Sequence, residues 1–276
     1  MDTMSRKNVY RATHGVSFKQ KVGEAQNLFL STVQSRLGGA GNFTLTAEAQ
    51  RSCLLQGLNI DAQLAGVASQ GTITEISVAG QSCMVSDQPA CISAFSPTSY
   101  GFASRSIGIS VNNNMKLVIQ GSIINAGGNV SLACSIDPLK DDQIKTRSEQ
   151  AEAYNYCFGL GTKAVPAAGT ASLTARSNRA VTLGRIILQN LTGAPFVTSD
   201  SVVCTSILVQ GLEMLNGITG AQEISLSNFE AQASDIGLEL SYPIAPQTEV
   251  TFVFKNYDAA NAATVGGAIF CQPWTA

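Results

Sequence analysis

A block that occurs twice constrains this chain more than any other feature of its 276 residues. Leu45-Thr46-Ala47-Glu48-Ala49-Gln50-Arg51 returns as Leu173-Thr174-Ala175-Arg176-Ser177-Asn178-Arg179. Further matches follow in the same order. Thr74–Gly80 is echoed by Thr205–Gly211, Ser93-Ala94-Phe95 by Ser227-Asn228-Phe229, and Ile107–Val111 by Ile236–Leu240. Gly127-Gly128, leading to Cys134, is echoed by Gly266-Gly267, leading to Cys271. The offsets are 128, 131, 134, 129 and 139 residues. Such drift results when loops gain or lose residues while strands keep their order, so the chain reads as one β-unit written twice.

The periodicity says why the unit is β. Between Gly41 and Pro138, Phe43–Thr46 and Thr72–Val78 alternate, and Cys53–Ile60 is an apolar run. Cys83–Val85, Ile92–Phe95, Ser106–Val111, Lys116–Ile124 and Asn129–Ile136 complete about eight short strands, with Asn- and Gly-rich connectors between them. The second copy offers Leu173–Ala175, Val181–Leu188, Val202–Gln210, Glu223–Phe229, Ile236–Leu240, Glu249–Lys255 and Ala268–Cys271. The expected fold is all-β: two tandem eight-stranded jelly-roll or β-sandwich domains from an internal duplication. The expected limits are 41–138 for the first and 170–276 for the second. Trp274, the single tryptophan, is expected to pin the C-terminal end to the second barrel.

Two helices are expected outside the barrels. Val22, Gln26, Phe29, Val33 and Leu37 recur at helical intervals before Gly38-Gly39, which gives residues 1–40 a basic arm followed by a short helix. Residues 139–157 concentrate Asp, Glu, Lys and Arg, as a solvated connecting helix ended by Gly159 would. With a loop over Gly161–Gly169 this makes 139–169 the linker.

Composition bounds the function. Charged residues are only 13% of the chain, about half the usual share. A chain so poor in charge either buries an unusual share of its surface or commits much of it to neighbours. The net charge of −2 divides into +4 over residues 1–36 and −6 over the rest, a basic arm on a mildly acidic body. Arg6, Lys7, Arg11, Lys19 and Lys21 are the candidates for contact with nucleic acid or an anionic bilayer. The N-terminal stretch lacks the apolar core of a secretory signal, so the seven cysteines are expected to be reduced core residues. The sequons at Asn42, Asn129 and Asn190 are then accidents of composition.

Catalytic patterns are missing. His14 is the only histidine and lies in the arm, which removes Ser-His-Asp, Cys-His and histidine-rich metal sites from both barrels. The carboxylates Glu48, Glu75, Asp87, Glu213, Glu223 and Glu239 are scattered without aromatic platforms around them. No enzymatic activity, cofactor or metal is expected. Arg51 and Arg179 are the charged residues that recur at matching positions. They read either as an interface contact used twice or as arginines whose stems pack on a strand.

Taken together, the duplicated Leu45–Arg51 block, the ordered echoes and the basic arm resemble the double jelly-roll major capsid proteins of icosahedral viruses. The resemblance spans the chain and is architectural. It implies homotrimers that form pseudo-hexagonal capsomers and then a shell, assembled in the host cytoplasm and carried in the virion. It also implies contact with other capsid proteins, such as a vertex protein. The N-terminal arm would face the interior, towards nucleic acid or an internal membrane. The connecting loops here are short for that family. A pair of lectin-like or immunoglobulin-like sandwiches, serving as a receptor- or carbohydrate-binding spike or adhesin, is the alternative.

Overall fold

A computed structural model describes residues 29–36, 41–64, 67–68, 71–95, 109–123, 128–138, 156–192, 201–215, 223–229 and 238–274. Among these the protein is all-β, without an α-helix. The first half contains β1 (Phe29–Arg36), β2 (Gly41–Glu48), β3 (Cys53–Leu64), β4 (Val67–Ala68), β5 (Gly71–Val78), β6 (Gln81–Ser82), β7 (Ala90–Cys91), β8 (Ile109–Val111), β9 (Lys116–Ile123) and β10 (Gly128–Pro138). One sheet runs β1-β10-β3, with β4 and β8 both on β3; the other runs β2-β9-β5, with β6 and β7 both on β5. All these pairings are antiparallel. In β2 the side chains alternate, so Phe43, Leu45 and Ala47 point inward while Thr44, Thr46 and Glu48 point out. The inward row joins Ile73, Ile76 and Val78 of β5 and Leu117 and Ile119 of β9. Across the interior they meet Leu55, Leu58 and Ile60 of β3 and Val130, Leu132 and Cys134 of β10.

The second half contains β11 (Tyr156–Val165), β12 (Thr170–Arg176), β13 (Val181–Asn190), β14 (Val202–Val209), β15 (Leu212–Glu213), β16 (Ile224–Ser225), β17 (Glu239–Ile244), β18 (Glu249–Asn256) and β19 (Ala263–Pro273). Its sheets run β11-β19-β13-β17 and β12-β18-β14, with β15 and β16 both on β14. Apart from β4, which has no counterpart among the described residues, this is the strand order of the first half. Leu45 lies opposite Ile119 as Leu173 lies opposite Phe252. A bulge between Ile73 and Glu75 recurs between Cys204 and Ser206. The hairpins at Ala79-Gly80 and Gln210-Gly211 both place two successive residues at positive φ (53° and 76°, 50° and 77°), the geometry that joins twisted strands most tightly.

Four expectations need correction. Phe29–Arg36 is a strand on β10, not the end of a helix. Phe29 and Val33 are four residues apart, a spacing that suits a helical turn and an alternating strand alike; pairing with β10 over about a hundred residues decides it. Residues 22–28 lie outside the described residues. Tyr156–Val165, expected as the end of a helix and a loop, is the edge strand β11, and the rest of the expected linker helix (139–155) is outside the described residues. Ile92–Phe95, expected as a strand, is a turn of 3-10 helix, matched by Leu226–Asn228 in the second half. Trp274 is 49% exposed and belongs to neither core.

Two later echoes are out of register. Val111 pairs with Cys53, and at the corresponding position Ile244, not Leu240, pairs with Val181. Gly266 lies opposite Gln189, whose counterpart Asp61 lies opposite Ser131; the glycine pairs therefore do not correspond.

The halves are joined through a shared apolar layer. One face of the β11-β19-β13 sheet fills the second core with Phe158, Leu183, Leu188, Val265 and Ile269. The other face presents Cys157, Ile187, Ala268 and Phe270, and these belong to the first core. Phe95 meets Phe270 edge-on, with ring centroids 5.6 Å apart and planes at 87°. Strands buried on both faces read as continuous apolar runs, which explains Ile186-Ile187-Leu188 and Ala268-Ile269-Phe270.

Candidate interaction surface

The arm residues Arg6, Lys7, Arg11, Lys19 and Lys21 lie outside the described residues. Arg51 and Arg179 lie within them, each in the corner after the second strand of its half. The two corners share a backbone design. Ala49 N donates to Met115 O at 3.0 Å and receives from Asn114 N at 2.8 Å through its carbonyl. Ser177 does the same with Thr248 O at 3.0 Å and Gln247 N at 2.7 Å. The arginine surroundings differ. Arg51 is half-buried and its charge acts on Cys53: burial raises that thiol to about 11, and the guanidinium partly counters the rise. Arg179 is exposed and stacks 4.9 Å from the centroid of the Tyr156 ring.

Among the described residues, only the second corner is covered by the other half. The segment Cys83–Pro89, between β6 and β7, runs along the outer edge of β11. Val85 N donates to Cys157 O at 2.9 Å, Cys157 N to Cys83 O at 2.9 Å, and Gly161 N to Pro89 O at 2.8 Å. The Arg179 corner is drawn in as well: Asn178 N donates to Val85 O at 2.9 Å and Asp87 N to Arg176 O at 3.0 Å. The Asp87 carboxylate accepts from Arg176 N at 2.7 Å. Gly159 makes this closeness feasible, because a Cβ there would lie 2.3 Å from Gln88 O and 2.6 Å from Ala90 N. Val85 is fully buried and belongs to the second core although the first half contributes it. Asp87 and Gly159 were the informative residues here. An exposed aspartate between strands and a glycine in an apolar run carry that signal only once the halves are seen in contact.

Four of the scattered carboxylates, Glu48, Asp87, Glu213 and Glu223, have local partners. Glu48 faces Lys116 at 3.8 Å, and Arg176 faces Glu249 at 3.0 Å at the same register position, with the signs exchanged. At Glu213, slight burial would raise the carboxyl, but hydrogen bonds from Ser206 Oγ and from the N–H groups of Leu215, Ile207 and Met214 prevail and lower its pKa. Two of these bonds, from Leu215 N and Ile207 N, measure 2.9 and 3.0 Å. Tyr257 Oη donates to the Glu223 carboxylate at 2.6 and 2.7 Å, and Lys255 Nζ donates to the same hydroxyl at 2.9 Å. That hydroxyl is the main cause that holds the Lys255 ammonium above its ordinary pKa. The Glu239 backbone lies opposite Arg185. Among the described residues no group of three His, Cys, Asp or Glu side chains is arranged to hold a metal ion. All seven cysteines are buried thiols, as the expected core role requires.

No protein-family model matches the chain. No curated protein matches it. A solved structure, that of PNGF-II in space group C2, aligns over the whole of this chain and 71% of its own at 10% identity, with a TM-score of 0.38.

Proposed function

We propose that the protein is a structural coat subunit: two jelly-roll barrels in tandem that assemble as trimeric capsomers into an icosahedral virus shell, with the N-terminal arm turned inward. The observation that carries the reading is the strand order. In each half, four-strand paths β1-β10-β3-β8 and β2-β9-β5-β7, and β11-β19-β13-β17 and β12-β18-β14-β16, alternate early and late strands of the half, an order that supports the jelly-roll reading. The joint between the halves adds support, since an apolar layer and backbone hydrogen bonds hold them as one building block. A chain with only 13% charged residues suits a subunit whose flanks are covered by neighbours. The arm would meet nucleic acid or an internal membrane through Arg6, Lys7, Arg11, Lys19 and Lys21, and a vertex protein would close the fivefold positions.

Sizing of purified protein at low and moderate salt, followed by electron microscopy, tests this. Trimers and shells are the expected result. A persistent monomer that forms neither would overturn the coat reading and favour the spike or adhesin. Removal of residues 1–21 is expected to leave trimers intact while abolishing salt-sensitive binding to nucleic acid or anionic vesicles. Loss of trimers would make the arm an assembly element instead.

A further inference from the structure

Among the described residues, the contact between the halves has a counterpart present only as two separate sides. β11 is the end strand of its sheet, and Cys83–Pro89 lies on its free edge. β1 holds the same place in the first half: Phe29 lies opposite Ser135 as Cys157 lies opposite Phe270. Among the described residues no strand pairs with the outer edge of β1, which packs against β10 and β2. An open edge is a template for another backbone.

The second half carries the start of the matching segment, at Met214-Leu215. Met214 N donates to Ile207 O at 2.8 Å as Cys83 N donates to Ile76 O at 2.6 Å. Leu215 N is held by the Glu213 carboxylate at 2.9 Å as Met84 N is held by the Ser82 hydroxyl at 3.1 Å. So Met214-Leu215 corresponds to Cys83-Met84, at the start of the segment that lies on β11. Their burial differs in the direction that an unfilled contact requires. Met84 is 5% exposed, in the layer shared with Cys157, whereas Leu215 is only half-buried, packed at the margin of the second core. Within the chain the strand partner of β15 is β14.

We propose that Met214-Leu215 of one copy docks on the β1 edge of a second copy, repeating between chains the contact that Cys83-Met84 makes with β11 inside each. The Phe29 backbone takes the place of Cys157. The occupant is a second copy of this chain because the chain itself carries Met214-Leu215, whose backbone N–H groups are held as are those of the Cys83-Met84 pair that fills the equivalent edge. Each copy then has one donor side and one acceptor side, a head-to-tail contact that must close into a ring or continue as a filament. This rests on the coat-subunit reading and assigns its lateral interface to named residues.

The test uses full-length chains, one carrying Phe29→Cys and the other Leu215→Cys, the counterparts of the bridged pair Cys157 and Met84. Mixed and mildly oxidised, they are expected to give a reducible one-to-one cross-link that neither gives alone, since the native thiols are buried. Leu215→Asp is expected to lose assembly at concentrations where the parent assembles, with its thermal transition retained. Assembly without the mixed cross-link, together with normal assembly of Leu215→Asp, would overturn this interface and leave the coat reading standing. A disulfide formed inside a single chain carrying both cysteines, at monomer size, would overturn it too. Absence of any assembly in the parent would overturn the coat reading itself.

Discussion

Gly159 is the residue on which the joint between the halves most depends. A methyl group there would meet the backbone of Gln88, Pro89 and Ala90, none of which is a flexible side-chain end. Gly159→Ala is therefore expected to cost about 1–3 kcal/mol or more by overpacking, read as a lowered denaturation midpoint. Phe95→Ala, which removes the ring that meets Phe270, is expected to cost about 3–5 kcal/mol. The cysteines give a chemical readout of the same packing. Burial pushes Cys204 to about 12 and Cys53 to about 11, and it raises Cys157 well above the ordinary thiol value. All seven should resist thiol reagents at neutral pH in the native protein and react together on denaturation. Glu213 sets a pH dependence. Its folded pKa is depressed, so its contribution is present above the unfolded carboxylate value of about 4.3 and is lost as pH falls through the folded value. Glu213→Gln should flatten the acid side of a melting-temperature profile; an unchanged slope would remove this role.

At the level of strands, the paired charges at the ends of β2 and β12 show how much of the fold the sequence discloses. The Leu45 block and its echo mark equivalent strands, and Glu48 and Arg176 stand at matching places within it. That they are answered by Lys116 and Glu249 could be read only after the pairing was known. The echoes at Thr74 and Ser93 were likewise in register. The Ile107 echo was off by four residues, and the Gly127 echo failed as well, because Ile-Gly and Gly-Gly pairs recur by composition and alternating strands tolerate even-numbered slips. β1 and β11 were illegible for a different reason. Each is an edge strand whose partner comes late in its half, so local spacing favoured a helix in one case and a loop in the other. The seam could not be read at all, since Asp87, Gly159 and Val85 acquire their roles only across the halves. Both ion pairs are exposed, and a double-mutant cycle on Glu48 and Lys116 should give a coupling of about 0.2–1 kcal/mol that fades with salt.

Across the whole molecule, the layer formed by Cys157, Ile187, Ala268 and Phe270 makes the two halves one stability unit. Calorimetry should show one unfolding transition, and Phe95→Ala should split or broaden it; two transitions in the parent would mean that the layer couples the halves weakly. A chain that holds the same strand plan twice also faces a sorting problem while it folds. β2 could seek β18, and β12 could seek β9, with every apolar residue still facing inward. The exchanged signs oppose that error: Glu48 would then face Glu249, and Arg176 would face Lys116, like against like at both sites. A pair worth little to the finished fold can therefore act as an address label during its formation. Exchanging Glu48 and Lys116 for Arg and Glu makes the two addresses identical. Native stability should hardly change, while the yield of correctly refolded protein after dilution from denaturant should fall.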